Sequence, residues 1–440
     1  MRDLRLFFRY VIPSMFVMFV AGLYNIVDSA FIGIATGEKG LGACMLTFPI
    51  FCTIFGIGDM IGIGASILIS QHRGEGNLPM ANRAFSKMIG LAILAGVLIP
   101  LLFFPILKPM LVFCGATPEL LPGAFSYISW VVGGAFIPVL WLCLAAAMRN
   151  DERPVLTMFL VCTGVVANVI LDYVFIFLCG WGLPGASIAT VISQLFPLSL
   201  AVLYFRSSRT HLKILWHAIF PSRRWCWQIL KFGFPSLGGS LSIAAMLLFH
   251  NWQSLRYGQM AGYGTGGLAA YAVICTTESL ISMIMQGVAN GMQPIVSYIH
   301  GTGDHARNRK MAHYGIVFSV FLGILGVIFS IVARHHIPAL MGLDGSIAEL
   351  AAHGLLLSAP AFFALGLVKM GSHFFQSTGK ILAANLLIYG DYCVILPMCL
   401  FLLPLFWGLD GVWMAMPVSR FLLLFLLMWL WKYHYQKWLW

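Results

Sequence analysis

Apolar runs long enough to cross a bilayer recur along the whole 440-residue chain and leave almost nothing between them from which a soluble core could be built. A helix rises 1.5 Å per residue, so roughly 20 apolar residues cover about 30 Å of hydrocarbon. Twelve such runs are read, near 11–34, 41–70, 84–107, 121–148, 155–178, 183–205, 229–255, 266–299, 315–333, 347–374, 381–403 and 408–431. The first follows Met1-Arg-Asp-Leu-Arg without a small-residue cleavage site, so it is expected to be a retained helix and not a signal peptide. Hydrophobic residues make up 60% of the chain and charged residues 9%, a balance that excludes an ordinary soluble domain. The expected fold is an all-α integral membrane protein.

The formal charge of +11 could suggest a nucleic-acid partner, but its distribution argues otherwise. Of 26 Lys and Arg, 20 fall on the termini and alternate loops. Only Lys39, Lys108, Arg256 and Arg334 lie on the opposite loops, and Lys369 and Arg420 lie inside spans. This asymmetry orients membrane proteins and puts both termini in the cytoplasm of a bacterial cell, with the chain in its inner membrane. The lipid bilayer is the partner and nucleic acid is not.

Seven of the ten cysteines (Cys44, Cys52, Cys143, Cys162, Cys275, Cys393 and Cys399) sit inside apolar runs and read as packing residues. No CxxC or HExxH spacing points to a metal, and no cofactor is expected. There is also no GxxxxGK[ST] loop, because Gly379-Lys380 lacks the earlier glycine and a following Ser or Thr. ATP coupling is therefore not expected, and ion gradients remain.

The chain is written twice. At a spacing near 226, Tyr24-Asn-Ile-Val-Asp-Ser-Ala-Phe-Ile-Gly33 falls on Phe249-His-Asn-Trp-Gln-Ser-Leu-Arg-Tyr-Gly258, and Pro13-Ser14 on Pro235-Ser236. Ser70-Gln-His-Arg-Gly-Glu-Gly-Asn77 falls on Ser297-Tyr-Ile-His-Gly-Thr-Gly-Asp304, and Trp181-Gly-Leu-Pro-Gly185 on Trp407-Gly-Leu-Asp-Gly411. Asp172-Tyr173 meets Asp391-Tyr392 if the second copy carries about seven extra residues before its Trp-Gly. Six helices per copy return the chain to its starting side, so the two repeats are parallel. The expected organisation is a six-helix lobe over 1–210, a cytoplasmic loop over 211–230 and a second six-helix lobe over 231–440, around a central cavity.

Five acids fall within spans: Asp28, Asp59, Asp172, Glu278 and Asp391. A carboxylate near the bilayer centre costs about 2.5–3.5 kcal/mol on insertion scales, so such groups need partners, water or protons and are functional candidates. Asn168 and Asp172 are four apart, on one helix face, where the amide can stabilise either protonation state; a proton or Na+ site has this outline. Lys369 and Arg420 are the buried cations, and a pair with Asp391 would make that acid structural. The 34 Phe, 13 Trp and 22 Met suit a cavity for flat organic cations, although most of these residues serve packing and interface belts, as expected of Trp429 to Trp440 beside Lys432 and Lys437.

A six-plus-six chain with Pro13 and Asp28 in its first helix, a Gln71-to-Gly76 turn, Asn168-to-Asp172 in its fifth helix and Gly185-Ala-Ser-Ile-Ala-Thr190 in its sixth resembles the multidrug and toxic compound extrusion (MATE) family over almost its whole length. The pattern is closest to the bacterial DinF- and NorM-like branches. The resemblance implies an antiporter that exports amphipathic, often cationic small molecules in exchange for H+ or Na+. It also implies a cation-coupling network at Asp28, Asn168, Asp172 and Thr190, and no enzymatic activity; a monomer is expected. Tyr24, Asn25, Gln253, Glu278 and Asp391 are further candidates for the site's surroundings or for substrate. The second copy breaks the symmetry, since Asp28 finds Gln253 and Asn25 finds His250. Two alternatives stand beside it. A lipid-linked oligosaccharide flippase would need a cationic cavity, and an integral membrane enzyme would need clustered catalytic groups that His335-His336 does not supply.

Overall fold

A computed structural model describes residues 2–220, 222–264 and 266–435. The aromatic belt expected at the C-terminus, with Lys437, lies outside them from residue 436 onward.

The described residues are mostly helical; the long exception is the connection between Arg206 and Arg223, which carries one short helical turn at Trp216–Ala218. The crossings are α1 (Asp3–Gly37), α2 (Lys39–Gly74), α3 (Leu78–Phe113), α5 (Pro154–Leu178), α6 (Gly182–Arg206), α7 (Arg223–Met260), α8 (Gly266–Thr302) and α9 (His305–Ala333). Two more are bent pairs: α4 (Leu121–Gly133 with Phe136–Asn150) turns by 52°, and α10 (Gly345–Ser358 with Ala361–Ser377) by 48°. Pro360 stands at the second bend, where a missing N–H interrupts the helical ladder. The last apolar helix, Ile381–Tyr435, runs 55 residues, far more than one crossing needs. Gly408 breaks it at φ 57°, ψ −131°, giving α11 (381–407) and α12 (409–435). Twelve crossings result among the described residues.

The sequence repeat reappears as repeated backbone conformation. Gly76 and Gly303, at matching places in the two Gly-x-Gly turns, take φ 75° and 74°. Gly182 and Gly408, after the two matching tryptophans, both take φ 57°. Only glycine enters these regions without strain, so the dipeptides mark where each copy must turn. Asp172 and Asp391 each stand at the entry to a π-helical turn, Tyr173–Leu178 and Asp391–Ile395. Such turns aim side chains off the regular helical stripe and recur at functional places.

The chain forms two compact units: Phe16–Leu241 with Ser297–Asp304, and Met1–Met15 with Ser242–Val296 and His305–Trp440. In the first unit, a Cβ on Gly64 would collide with the Ile229 carbonyl oxygen, and one on Gly233 with that of Met60, so α2 and α7 cross backbone to backbone. In the second unit, Gly287 meets Met15 and Gly291 meets Val11, pairing α8 with the start of α1 in the same way. Without a hydrophobic drive between helices in lipid, small residues that admit such contact are what hold crossings together. Gly74 and Gly301, matched by the repeat, also contact each other's segments, each against a carbonyl (Tyr298 and Gln71).

Candidate ion-coupling site

The first unit gathers the acids and amides that the sequence singled out. Asp28 comes from α1, Asn168 and Asp172 from α5, and Thr190 from α6. Asp172 is fully buried, Asn168 2% exposed and Thr190 3% exposed. With its amide oriented to satisfy both neighbours, Asn168 donates to Asp172 Oδ2 at 2.7 Å and accepts from the Thr190 amide nitrogen at 3.3 Å. Thr190 Oγ1 donates to the Ala186 carbonyl at 3.0 Å and lies 3.5 Å from the Tyr24 hydroxyl, which can donate to it. The carboxyl groups of Asp28 and Asp172 are within hydrogen-bonding reach of one another.

That last contact has a chemical requirement. A carboxylate only accepts, so two carboxyl groups bond to each other when one of them carries a proton. Asp28 Oδ1 and Asp172 Oδ1 are buried without a partner, which leaves oxygen lone pairs free in a place without bulk water. The arrangement can hold a proton between two acids, or offer the same oxygens to a small hard cation.

Tyr24 stands where the sequence placed it, at the edge of this cluster. Asn25 is exposed and, among the described residues, no hydrogen bond ties it to the cluster. Two neighbours were not among the site candidates: Cys44 on α2, read from the sequence as a packing residue, and Tyr127 on α4 lie in electrostatic range of Asp28. Neither belongs to a spacing pattern that points to the site, and a cysteine in an apolar run reads as packing. Asp59 faces the Arg149 guanidinium, which offers it a counter-charge.

The second unit uses its acids differently. Arg420 on α12 pairs with Asp391 and, at 3.6 Å, with Glu278, and donates to the Tyr392 hydroxyl at 3.2 Å. All three charged side chains are at most 5% exposed. Gln253 donates to the Leu400 carbonyl at 2.8 Å, and His250 stacks on Tyr271 with ring centroids 4.9 Å apart, so the symmetry mates of Asp28 and Asn25 bond within the protein. Among the described residues no cluster of three or more His, Cys, Asp or Glu has metal-binding geometry.

The MatE family model matches residues 13–174 and 242–399, one stretch in each copy of the repeat. The chain belongs to the MatE family. This MatE chain is 23% identical over 411 residues to the multidrug export protein MepA of Staphylococcus saprophyticus, covering 93% of itself and 89% of that protein. The Staphylococcus aureus protein of the same name is 24% identical over 417 residues, with the same coverage. Among solved structures, the outward-facing conformation of a multidrug resistance MATE family transporter superposes with a TM-score of 0.90 at 22% identity, covering 96% of this chain and 94% of that one. A MOP superfamily transporter from Pyrococcus furiosus, described as having a binding pocket of reverse polarity, also reaches 0.90, at 23% identity over 97% and 95% of the two chains. These structures share the MatE fold of the present chain, a multi-pass all-helical membrane protein.

Proposed function

We propose that the protein is a secondary active antiporter that exports amphipathic, often cationic small molecules in exchange for H+ or Na+, through alternating access of two lobes. The observation that carries this reading is the buried pairing of Asp28 with Asp172, buttressed by Asn168 and Thr190. A site that binds one cation equivalent in exchange for substrate needs oxygens that are costly to leave bare, and this one has them. Family membership and the similarity to proteins named multidrug exporters support the same conclusion. Transport, and not catalysis, is the activity. The lobes are taken as 1–210 and 231–440, joined by 211–230, a loop whose end from Arg223 onward already forms the first turns of α7, in a monomer in the bacterial inner membrane with both termini cytoplasmic. Loop charge supports that orientation.

The test is efflux of a fluorescent cation from cells lacking other pumps, comparing the protein with Asp28→Asn and Asp172→Asn. Both substitutions are expected to abolish cation-driven efflux while the protein still reaches the membrane; unchanged efflux in both would refute the coupling role. Proteoliposomes under an imposed pH or sodium gradient then separate H+ from Na+. An oligosaccharide flippase is disfavoured because Arg420, which a pyrophosphate would need, is already committed to two carboxylates.

A further inference from the structure

The connection from α6 to α7 is laid on the first unit as a strap. Between residues 206 and 231 it carries six Lys and Arg and no Asp or Glu. Its backbone is tied to α3: the Lys213 amide donates to Asn82 Oδ1 at 2.9 Å and the Leu215 amide to Ser86 Oγ at 2.8 Å. One turn further, a Cβ on Gly90 would collide with the Ile219 carbonyl oxygen, so strap and helix meet backbone to backbone there. Lys87 Nζ donates to the Phe220 carbonyl. Asn82, Ser86 and Gly90 are four apart and share a face, so the strap runs along the helix and not across it. Leu212 and Ala218 are its buried side chains.

This course sets the depth of the strap. The apolar run of α3 begins near residue 84, and Gly90 lies inside it by about 9 Å along the axis. Residues 216–220 therefore reach the boundary between headgroups and acyl chains, the level at which amphipathic segments lodge. There Trp216 is 75% exposed and Phe220 88% exposed. Arg206, Arg209, Lys213, Arg223, Arg224 and Lys231 are exposed too, and among the described residues no carboxylate lies within 4 Å of any of them. Aromatic rings at interface depth beside uncompensated cations complement a bilayer surface with anionic headgroups, the rings entering the acyl boundary and the cations meeting phosphates.

We propose that this strap docks anionic phospholipid of the surrounding bilayer, with Trp216 and Phe220 in the interface and Arg209, Lys213 and Arg224 against the phosphates. Its hydrogen bonds to α3 hold the strap in place before the lipid arrives, which lowers the ordering cost of binding. The inference goes beyond the export reading and does not depend on it.

The test uses full-length protein in neutral detergent at low ionic strength, with fluorescently tagged phosphatidylglycerol followed by anisotropy. Unlabelled phosphatidylglycerol should displace the probe at a concentration about tenfold or more below that of phosphatidylcholine, and inorganic phosphate should not displace it. Arg209→Gln, Lys213→Gln and Arg224→Gln together should weaken phosphatidylglycerol by about tenfold and change phosphatidylcholine by less than about twofold. A matched control, Arg5→Gln with Arg9→Gln and Lys432→Gln, removes as many exposed cations near the two termini and should change either lipid by less than about threefold. Trp216→Ser with Phe220→Ser should weaken both lipids. Equal affinity for the two lipids, or an equal loss in the control, overturns the proposal. So does displacement by inorganic phosphate, which would mark a site for a free anion. If the triple variant fails to accumulate, wild-type protein decides: photoactivatable phosphatidylglycerol should label peptides within 206–231, and labelling confined to other segments is a refutation.

Discussion

Removing the Arg420 guanidinium would leave two carboxylates buried where they are now paired. Asp391 and Glu278 are 2% and 5% exposed at their side chains, so neither can turn to water without opening the helix packing. Truncating one partner of a buried ion pair typically costs about 3–5 kcal/mol, because the other charge is left desolvated. For a unit of about 200 residues this corresponds to a drop in Tm of roughly 6–20 °C. Arg420→Met is therefore expected to lower the apparent Tm of detergent-purified protein by an amount in that range, read at one fixed scan rate because unfolding of such proteins is commonly irreversible. Adding Glu278→Gln and Asp391→Asn removes the stranded charges and should restore most of the loss. A single variant within about 2 °C of wild type, or a triple variant no better than the single, refutes the stranded-charge reasoning. The triple variant also decides a functional question. If it still exports against a cation gradient, the second unit's acids are structural and coupling resides with Asp28 and Asp172.

Asp151, fully buried in the turn after α4, accepts from the Tyr204 hydroxyl at 2.6 Å, the Thr210 hydroxyl at 2.8 Å and the His211 amide at 3.1 Å. Asp151→Ala should free the segment after α6 by about 2–3 kcal/mol and accelerate tryptic cleavage at Arg206 and Arg209 by about tenfold or more; an unchanged rate contradicts the anchoring role. Gly64→Leu is expected to abolish accumulation of folded protein, since its side chain would have to occupy the Ile229 backbone, and normal yield would show that the α2–α7 crossing is not that close. Gly408→Ala forces a side chain into φ 57°, ψ −131° and should cost about 1–3 kcal/mol, seen as a lower Tm, whereas substitution at Gly239, where space is open and φ is helical, should change little.

The crossings were legible because each carries its own signal: a long apolar run must be a helix in lipid, whatever its neighbours do. The internal repeat was legible for a related reason. Trp181-Gly182 and Trp407-Gly408 encode a backbone conformation that glycine alone adopts easily, and both turn at φ 57°. The candidate coupling site could be read in part, since an Asn and an Asp four apart on a membrane helix share a face, and Asp28 stood out as an acid in an apolar run. Its closure, with Asp28 against Asp172 and Tyr24 against Thr190, joins residues up to 166 positions apart. No local pattern specifies that.

The same limit explains the second unit. From the sequence, Glu278, Asp391, Lys369 and Arg420 were four membrane charges with several possible pairings. Local chemistry determines that each must be satisfied, because a bare charge in hydrocarbon is too costly to persist. Which partner satisfies it depends on distances between α8, α10, α11 and α12, which hydropathy does not encode. Packing brought Arg420 to both acids and left Lys369 against the Gln286 amide. Span number and repeat thus follow from the one-dimensional chain, since lipid acts on each segment separately. The division of the acids into an ion-coupling candidate and a structural ion pair was decided only in three dimensions, because pairing energies depend on interhelical separations of a few ångströms.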